Sequence, residues 1–506
     1  MKTNNFFSLM KERNCNHKKL FLKKNNGDFI KYGQLYDISA KFANTLVNLG
    51  VVRGDRILVY AEKSVENLIV YLACLRAGFI YLPINPAYTQ TELEYFIEDS
   101  LPKVIICSPN KEDTVKVIGE KFKVLAVETL GTDGKTGSFL EKAGKSSMDF
   151  ADVICTKDDI AAIVYTSGTT GRSKGAMITH GNLYSNAMAL CETWKFSQDD
   201  VLLHALPIFH VHGLFVATNV ALVSGSSMIF LPAFDVDEII NHLSSATVMM
   251  GVPTFYTLLL QNTRLTRELV GYMRLFISGS APLLAEIHRQ WSERTGHQIL
   301  ERYGMTETGM IASNPYVEER VPGTVGFPLV GISLRIADQS SGNLLPDGEI
   351  GLIEVKGPNV FKGYWHMPEK TREDFREDNF FITGDLGFID EREYLHIVGR
   401  QKDMIITCGL NVYPKEIEEK INGIAGVVES AIVGVPHKEF GEGVIGVVVV
   451  KKNVNLSEKE ILIELKKELA QYKVPLKIIF VDMIPRNTMG KAQKSILRSS
   501  YNNLFI

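Results

Sequence analysis

Short apolar segments of strand length alternate with longer periodic segments near the start of the chain. Arg56 to Tyr60 (RILVY) and Lys103 to Cys107 (KVIIC) are typical of buried β-strands. Apolar residues from Leu35 to Leu49 recur at helical spacing, and Gly50 is placed to end that helix. The run from Thr91 to Glu94 has the pattern of a capping box, which predicts a further helix start. Strands separated by helices indicate parallel pairing, so the sequence predicts an α/β fold.

The chain is long enough for several domains, and its composition changes along its length. A length of 506 residues favours about two to four domains. Gly, Asp and β-branched residues dominate from about residue 325 to Gly399, which predicts short strands and turns. Helix and strand patterns return after Tyr413. The charged segment from Gly399 to Asp403 therefore predicts a boundary between domains at 1–399 and 400–506.

Charge and cysteine usage exclude several classes of protein. The 55 Lys and Arg residues nearly balance the 58 Asp and Glu residues, so nothing draws the chain as a whole to nucleic acid or an anionic membrane. Six scattered cysteines without a CxxC pair are typical of reduced thiols. The apolar part of Met1–His17 is too short for a secretory signal, and Val211–Phe230 is too interrupted to span a bilayer. We expect a cytoplasmic protein with no nucleic-acid partner and no membrane span; the oligomeric state stays open.

A loop rich in Ser, Thr and Gly follows a predicted strand. Ile160 to Tyr165 (IAAIVY) precedes the segment Thr166 to Gly175 (TSGTTGRSKG). Hydroxyl donors, glycines that permit close backbone approach and the charge of Lys174 together suit a polyphosphate. The segment does not match a Walker A loop, because Ser173 precedes the lysine and Gly follows it. A surface turn without function is the alternative for such a loop taken alone.

Four later motifs follow this loop: YGMTE at 303–307, TGD at 383–385, GRQKD at 399–403 and PRNTMGK at 485–491. Taken with the loop, and in this order, they resemble the motifs of the adenylate-forming superfamily of acyl-CoA synthetases, luciferases and peptide-synthetase adenylation domains. Stretches at 206–213, 274–280, 301–307 and 357–365 further resemble malonyl-CoA synthetases. One departure is Cys408, where such proteins often have Gly before Gly409.

The resemblance implies a fold and an activity. The fold would be a large N-terminal domain, with two α/β sheet-bearing subdomains plus a distorted β-barrel, and a small mobile α+β C-terminal domain. The activity would be ATP-dependent, AMP-forming ligation of a small dicarboxylate, foremost malonate, to coenzyme A. A carboxylate attacks the α-phosphate of ATP, and the CoA thiol then displaces AMP. Positive charge and Mg²⁺ must offset the repulsion between two anions in the first step.

Several alternatives to malonate ligation stay open. The acid could be methylmalonate or a short- or medium-chain fatty acid. The chain could also be a stand-alone adenylation enzyme that loads a carrier domain. Because the sequence ends fifteen residues after Lys491, we expect no carrier domain in the same chain.

The resemblance also implies roles for individual residues. Lys491, Thr306 and Glu307 would be catalytic, with Glu307 holding Mg²⁺. Lys402 would be the hinge, and Gly409 would border the CoA channel. Asp385 and Arg400 would hold the ribose hydroxyls. The full set implied for ATP binding is Thr166, Ser167, Gly168, Thr169, Thr170, Gly171, Lys174, Ser280, Ala281, Pro282, Glu301, Tyr303, Gly304, Met305, Thr306, Asp385 and Arg400.

Three residues are candidates for binding the substrate's second carboxylate. In this superfamily the residue before YGxTE borders the acyl pocket, and here it is Arg302, which needs an anion. His210 could donate a second hydrogen bond, and Arg274 is a weaker candidate. The alternative for Arg302 is a structural ion pair with Glu301 or Glu307.

Two further patterns have simpler explanations. His210 and His212 are two positions apart, so both side chains could lie on one face of a strand, and His204 is nearby in the sequence. This pattern is compatible with a metal site, although no Cys or acidic residue occurs at the spacing of a zinc site. Packed or hydrogen-bonded histidines are the simpler explanation. Lys491, Lys494 and Arg498 are spaced to share a helix face, which spacing alone predicts to be solvated.

Overall fold

A computed structural model describes residues 4–24, 27–166, 173–452, 454–487 and 490–506. Its first part contains the predicted alternation of strands and helices. The elements are α1 (Phe6–Arg13), β1 (Leu20–Lys24), β2 (Phe29–Lys31), α2 (Tyr32–Asn48), β3 (Arg56–Tyr60), α3 (Val65–Ala77), β4 (Ile80–Pro83), α4 (Gln90–Ser100), β5 (Val104–Cys107), α5 (Glu112–Lys121), β6 (Ala126–Thr129) and α6 (Ser138–Gly144).

The helix boundaries follow the predicted signals with one correction. Gly50 follows α2 with φ of +87°, a conformation that favours glycine. The capping box of α4 is formed by Thr89 and Glu92, so the prediction of a box at Thr91 and Glu94 is wrong. The T-x-x-E pattern occurs twice in this segment, and the helix begins at the earlier copy.

The middle of the chain continues the α/β pattern, with a π-helix at His212–Thr218. The other elements are β7 (Ile160–Thr166), β8 (Lys174–Thr179), α7 (His180–Thr193), β9 (Val201–His204), α8 (Asn219–Ser224), β10 (Ser227–Phe230), α9 (Val236–His242), β11 (Val248–Gly251), α10 (Pro253–Leu260), β12 (Leu275–Ser278), α11 (Ala285–Thr295), β13 (Leu300–Met305), β14 (Gly309–Ser313) and β15 (Phe327–Pro328).

The last third of the chain is richer in strands. Its elements are β16 (Ser333–Ala337), β17 (Gly351–Lys356), α12 (Pro368–Glu373), β18 (Phe381–Ile389), β19 (Leu395–Arg400), β20 (Ile405–Thr407), β21 (Leu410–Val412), α13 (Pro414–Asn422), β22 (Val427–His437), β23 (Gly441–Val450), α14 (Glu458–Glu468), β24 (Lys477–Phe480) and α15 (Lys494–Tyr501).

The strands of the described residues form four sheets. A six-stranded sheet has the order β6-β5-β3-β4-β7-β8, and a nine-stranded sheet has the order β15-β14-β13-β12-β11-β9-β10-β1-β2. The other two sheets are β16-β17-β18-β19 and β21-β20-β23-β22, the latter with β24 beside β23. The distorted barrel implied by the resemblance is therefore an open antiparallel sheet, since β16 and β19 lie at opposite edges of it.

The apolar stretches that resembled targeting or membrane segments are parts of the core. Phe6, Phe7 and Met10 of α1 are fully buried, and residues 212–230 form the π-helix, α8 and β10. No helix in the described ranges is long and apolar enough to cross a membrane.

A one-turn 3₁₀ helix, Gln401–Asp403, connects β19 to the last sheet. Asp403 pairs with Arg498 of α15 at 2.6 Å, so this end of the turn is attached to the C-terminal part. Ile417 and Ile421 of α13 are buried in a core that belongs to the last sheet. The domain boundary predicted between 399 and 400 falls within β19, directly before the turn, and stays a prediction.

Candidate functional site

Neighbouring parallel strands of the nine-stranded sheet end at one edge, where most of the candidate residues lie. The segment after β9 carries His210, the segment after β12 carries Ser280, and β13 leads into Thr306. Ligands of open α/β sheets bind beyond the carboxyl ends of the strands. The fold therefore brings residues together that are almost one hundred positions apart in the sequence.

An ion pair and a tyrosine form one side of the site. Asp385 on β18 lies opposite Arg400 on β19, and the Arg400 Nε is 2.6 Å from the Asp385 Oδ1. The Tyr303 hydroxyl donates to the other carboxylate oxygen, Oδ2, at 2.5 Å. The negative charge of Asp385 raises the pKa of Arg400. A carboxylate oxygen that accepts one bond can still accept another, so this group fits a pair of sugar hydroxyls.

Arg302 is a buried cation that has no counter-ion in the part of the chain that the structure describes. Its side chain lies over Gly279, where an added Cβ would be 2.3 Å from the Arg302 Cζ. Its Nε and Nη2 are buried and have no hydrogen-bond partner among the described residues. Burial lowers the pKa of Arg302 to about 9, so the guanidinium is still charged at neutral pH. An unpaired buried charge is costly, and a bound anion would relieve that cost.

The alternative of a structural ion pair for Arg302 fails on geometry. Glu301 accepts the Gly323 N–H at 3.2 Å, and Glu307 accepts the Tyr364 hydroxyl at 3.0 Å. Burial raises the pKa of Glu301 to about 7 and also raises the pKa of Glu307. Neither carboxylate lies within ion-pair distance of Arg302 in the described part of the chain.

The three histidines differ in what they contact. The His210 Nδ1 accepts the His212 N–H at 3.4 Å, which leaves Nε2 as the protonated ring nitrogen. Burial, followed by the charges of Lys491 and Arg302, lowers the pKa of His210 to about 3, so this imidazole is neutral. His212 contacts the Ser280 hydroxyl at 3.1 Å. His204 contacts the Gly213 carbonyl at 2.9 Å and Lys63 at 3.1 Å, as a hydrogen-bonded core histidine does.

The two ends of the predicted phosphate loop face one another. Thr166 ends β7 and Lys174 begins β8, and the two residues are paired across an antiparallel hairpin. A Walker A loop instead joins a strand to a helix, so the structure separates the two motifs. The predicted contacts of Ser167, Gly168, Thr169, Thr170 and Gly171 lie outside the described residues.

Lys491 reaches this site from a short loop before α15. Its N–H donates to the Asn487 Oδ1 at 3.0 Å, and a Cβ added at Gly490 would be 3.5 Å from the Thr254 hydroxyl on α10. Lys491 is an exposed residue. Desolvation of its ammonium group, followed by the charge of Arg400, lowers the pKa of Lys491 to about 8. The charges of Asp385, Glu307 and Arg302 also act on Lys491.

The candidate role of Arg274 in substrate binding is wrong. Arg274 donates from Nε and Nη2 to both oxygens of Asp200 at 2.7 Å. Its Nη1 donates to the Trp194 carbonyl at 3.0 Å. It precedes β12, whereas Ser280 follows that strand, so the two residues lie at opposite ends of it. Arg274 is a structural ion-pair partner.

The solvated-face alternative is also wrong for the residues beyond Lys491. Lys494 pairs with Glu418 at 2.7 Å, and Arg498 pairs with Asp403. α15 begins at Lys494, so Lys491 precedes the helix and does not share its face.

The remaining predicted residues lie on the same loops. Ala281 is half-buried and Pro282 is exposed after β12, while Met305 and Thr306 are half-buried at the end of β13. Gly304 lies where a Cβ would be 2.2 Å from the Gly309 carbonyl oxygen, which explains the glycine. The hinge candidate Lys402 is exposed in its 3₁₀ turn.

The departure at Cys408 lies in a two-residue hairpin turn between β20 and β21. Cys408 has φ of +51° and Gly409 has φ of +75°. Two positive φ values are typical of a type I′ turn, in which a residue with a side chain is strained at the first position.

We expect Cys408→Gly to stabilise the protein. A non-glycine residue in the left-handed region costs ~1–2 kcal/mol, and the greater freedom of glycine in the unfolded chain returns ~0.5–1 kcal/mol of that. The urea midpoint should therefore rise slightly. The control is Cys15→Gly, since Cys15 is also exposed but has no positive φ. A fall in the midpoint for Cys408→Gly equal to that of the control would contradict the strain.

Two site residues were not found from the sequence. Gly279 makes room for Arg302, and Tyr364 contacts Glu307. Tyr364 lies in one of the stretches that carry the resemblance, but its partner is 57 positions away. Gly279 directly precedes Ser280, which was predicted to bind ATP. Its position next to Ser280 is the sequence feature that could have identified it.

The residues present fit both a nucleotide and Mg²⁺. Carboxylate oxygen is the ligand that Mg²⁺ prefers, and Mg²⁺ commonly uses one or two protein carboxylates together with water and phosphate. Glu307 offers one such group, buried at the site. Among the described residues no group of three or more His, Cys, Asp and Glu side chains is arranged to hold a metal ion by itself.

Two family models that match this chain both describe AMP-binding enzymes. A model of AMP-binding enzymes matches residues 11–365, and a model of the AMP-binding enzyme C-terminal domain matches residues 416–491. A malonate–CoA ligase of Arabidopsis thaliana is 34% identical over 90% of this chain and 79% of its own length.

Solved structures extend the similarity to the whole chain. ATP-bound MatB from Rhodopseudomonas palustris is 56% identical, with full coverage of both chains and a TM-score of 0.98. The apo form of that protein has the same identity and coverage but a TM-score of 0.87. The present arrangement is thus more similar to that of the ATP-bound form.

Proposed function

We propose that this chain, which belongs to the AMP-binding enzyme family, is an ATP-dependent, AMP-forming ligase that joins malonate to coenzyme A. One observation carries the choice of acid: the guanidinium of Arg302 is buried beside the candidate adenylation residues, and no described residue provides a counter-ion for it. The similarity to malonate–CoA ligase and to MatB supports the same activity.

The first half-reaction would join the acid to AMP. One malonate carboxylate oxygen attacks the α-phosphorus, the bond to the bridging oxygen breaks, and pyrophosphate leaves. Lys491 would lie between the two anions and stabilise the charge that develops as they meet. Thr306 would donate to the α-phosphate, and Glu307 would hold Mg²⁺, which when bound offsets phosphate charge. Asp385 and Arg400 would hold the ribose.

The second half-reaction would transfer the acyl group. The CoA thiolate sulfur attacks the acyl carbon, the bond from that carbon to the phosphate oxygen breaks, and AMP leaves. The backbone around Gly409 would border the pantetheine channel at that stage. Lys491 and Gly409 cannot both serve one site at the same time, so the C-terminal part would rotate about Lys402.

The second carboxylate of the substrate would pair with Arg302. A guanidinium can bind a carboxylate through two parallel hydrogen bonds, and Nε and Nη2 of Arg302 have no partner within the described ranges. The neutral His210 would add a hydrogen bond from Nε2. A monocarboxylate would leave Arg302 buried and unpaired, which disfavours a fatty acid as the substrate.

The proposal is tested by assaying product formation across a set of acids. The purified protein is incubated with ATP, Mg²⁺ and CoA, and with acetate, butyrate, malonate, methylmalonate or succinate. We expect AMP and malonyl-CoA, with kcat/KM for malonate above that for each monocarboxylate. If butyryl-CoA forms with a kcat/KM equal to that for malonate, the proposed substrate would be a fatty acid and not malonate. Adenylate formation without CoA transfer would favour loading of a carrier domain.

A hinge substitution should separate the two half-reactions. Lys402 lies in a 3₁₀ turn, whose φ values are close to the −65° that proline imposes. Lys402→Pro should therefore keep the present arrangement, with near-normal acyl-adenylate formation, and slow CoA transfer by ~10-fold or more, about 1.4 kcal/mol in the barrier. Pyrophosphate exchange and single-turnover transfer from preformed malonyl-AMP measure the two steps. Lys402→Ala is the control, and equal loss of both steps would contradict the hinge.

Location in the cytoplasm is part of the proposal. None of the six cysteines forms a disulfide bond, and four of them are buried, which fits a reducing compartment.

A further inference from the structure

Tyr364 lies between two candidate ATP-binding groups and has no role in the mechanism given above. It is 3% exposed, and its N–H donates to the Thr371 hydroxyl at 2.9 Å. An isolated bridge to Ala176 attaches it to β8, the strand that begins with Lys174. Its ring packs edge-on against Phe361 at 4.8 Å between centroids. These contacts leave little freedom for the ring or the hydroxyl.

The hydroxyl of Tyr364 contacts the candidate metal-binding carboxylate. It donates to the Glu307 Oε1 at 3.0 Å, in a buried environment. The Phe361 N–H donates to the Glu307 carbonyl at 2.8 Å, so the same segment also holds the backbone of Glu307. One carboxylate oxygen is thereby fixed, and Oε2 is left for another partner.

The ring face of Tyr364 contacts the candidate phosphate-binding lysine. The Lys174 Nζ lies 4.1 Å from the ring centroid, within the range of a cation–π interaction. On its other side Lys174 is 3.8 Å from the Asp374 Oδ2, so the ammonium group lies between an aromatic face and a carboxylate. Asp374 also pairs with Lys370 at 2.9 Å, which reduces its hold on Lys174. The ring therefore contributes to the position of Lys174.

We propose that Tyr364 is a positioning residue that orients Glu307 toward Mg²⁺ through its hydroxyl and orients Lys174 toward the ATP phosphates through its ring. This inference rests on the proposed function, in which Glu307 holds Mg²⁺. The two contacts are made by different parts of one side chain, so they can be removed separately. Loss of the hydroxyl should weaken the binding of Mg²⁺ with ATP. Loss of the ring should also weaken the binding of ATP in the absence of Mg²⁺.

The experiment measures ATP binding by calorimetry without malonate, so that no turnover occurs. Each protein is titrated once with ATP and Mg²⁺ and once with ATP and EDTA, and the ratio of the two dissociation constants is the Mg²⁺ gain. Tyr364→Phe should leave the EDTA value unchanged and reduce the Mg²⁺ gain by ~10-fold, since losing an outer partner of a metal ligand costs ~10–100-fold in metal affinity. Tyr364→Leu should in addition weaken binding in EDTA by ~3-fold, the ~0.5–1 kcal/mol of an exposed cation–π contact.

Two further variants make the result decisive. Tyr394→Phe is the matched control, because Tyr394 is also buried and donates to a backbone carbonyl, that of Glu319, at 2.7 Å. Its Mg²⁺ gain should equal that of the unsubstituted protein. Glu307→Gln is the reference for the metal ligand itself and should lose the Mg²⁺ gain.

The outcomes separate this inference from the proposed function. A Mg²⁺ gain in Tyr364→Phe equal to that of the Tyr394→Phe control, with Glu307→Gln reduced, would overturn the role of Tyr364 alone. An undiminished gain in Glu307→Gln would overturn the assignment of Glu307, on which the inference rests. Absence of ATP binding by the unsubstituted protein would overturn the proposed function. If Tyr364→Leu binds ATP in EDTA as tightly as Tyr364→Phe, the ring does not position Lys174.

Discussion

Replacing Lys491 by Ala should reduce the rate of acyl-adenylate formation by ~10²–10³-fold while ATP still binds, because one stabiliser of developing charge is typically worth that much. The charges of Arg400, Asp385 and Glu307 all act on the ammonium group of Lys491. The carboxylate and the α-phosphate would meet beside these groups. Malonate-dependent exchange of labelled pyrophosphate into ATP measures this step directly.

The control for Lys491→Ala is Lys466→Ala. Lys466 is an exposed lysine in the last turn of α14, so its loss should leave exchange unchanged. Transfer from preformed malonyl-AMP to CoA should be affected much less in Lys491→Ala than adenylation. Pyrophosphate exchange at the unsubstituted rate would show that Lys491 is not the adenylation lysine.

Replacing Arg302 by Gly should reverse the preference between malonate and butyrate. Butyrate leaves the guanidinium buried without a partner, and breaking such a pair costs ~3–5 kcal/mol. This corresponds to ~10²–10⁴-fold in discrimination. We expect kcat/KM for malonate to fall by most of this discrimination factor. We expect kcat/KM for butyrate to rise relative to kcat/KM for malonate. Both acids are assayed with both proteins.

Stability measurements separate a functional Arg302 from a structural one. Arg302→Met keeps much of the volume and removes an unpaired buried charge, so the free energy of unfolding should not fall. Arg302→Lys keeps a charge but loses the two-pronged geometry, and should show an intermediate preference. An unchanged malonate-to-butyrate ratio in Arg302→Gly, together with a loss of stability in Arg302→Met, would assign Arg302 to the framework.

The sequence predicted those elements whose signals are local. β3 and β5 are apolar runs that form where the periodicity placed them, and the end of α2 at Gly50 follows from a single backbone preference. The start of α4 was misplaced because the same capping pattern occurs at Thr89 and at Thr91. The local pattern is the same in both copies, so it cannot tell which of them begins the helix. The preceding turn decides where the helix begins.

Parts of the candidate site could not be predicted, because separation in the sequence does not show which residues are in contact. Arg274 and Ser280 are close in sequence, yet the four-residue strand β12 separates them by ~13 Å at 3.3 Å per residue. Arg302 could be singled out from its motif. That it has no counter-ion among the described residues depends on the partners that Glu301 and Glu307 take elsewhere. Tyr364 could not be linked to Glu307 before the fold brought them into contact.

The most direct test of the account follows oxygen from malonate into AMP. If malonate is activated as an acyl-adenylate, its carboxylate oxygen bonds to the α-phosphorus and stays there when the CoA thiolate displaces AMP. Malonate labelled with ¹⁸O in its carboxylates should therefore give AMP that carries one ¹⁸O per malonyl-CoA formed, as measured by mass spectrometry. Unlabelled AMP, or ¹⁸O found in inorganic phosphate alongside ADP, would contradict an AMP-forming malonate ligase.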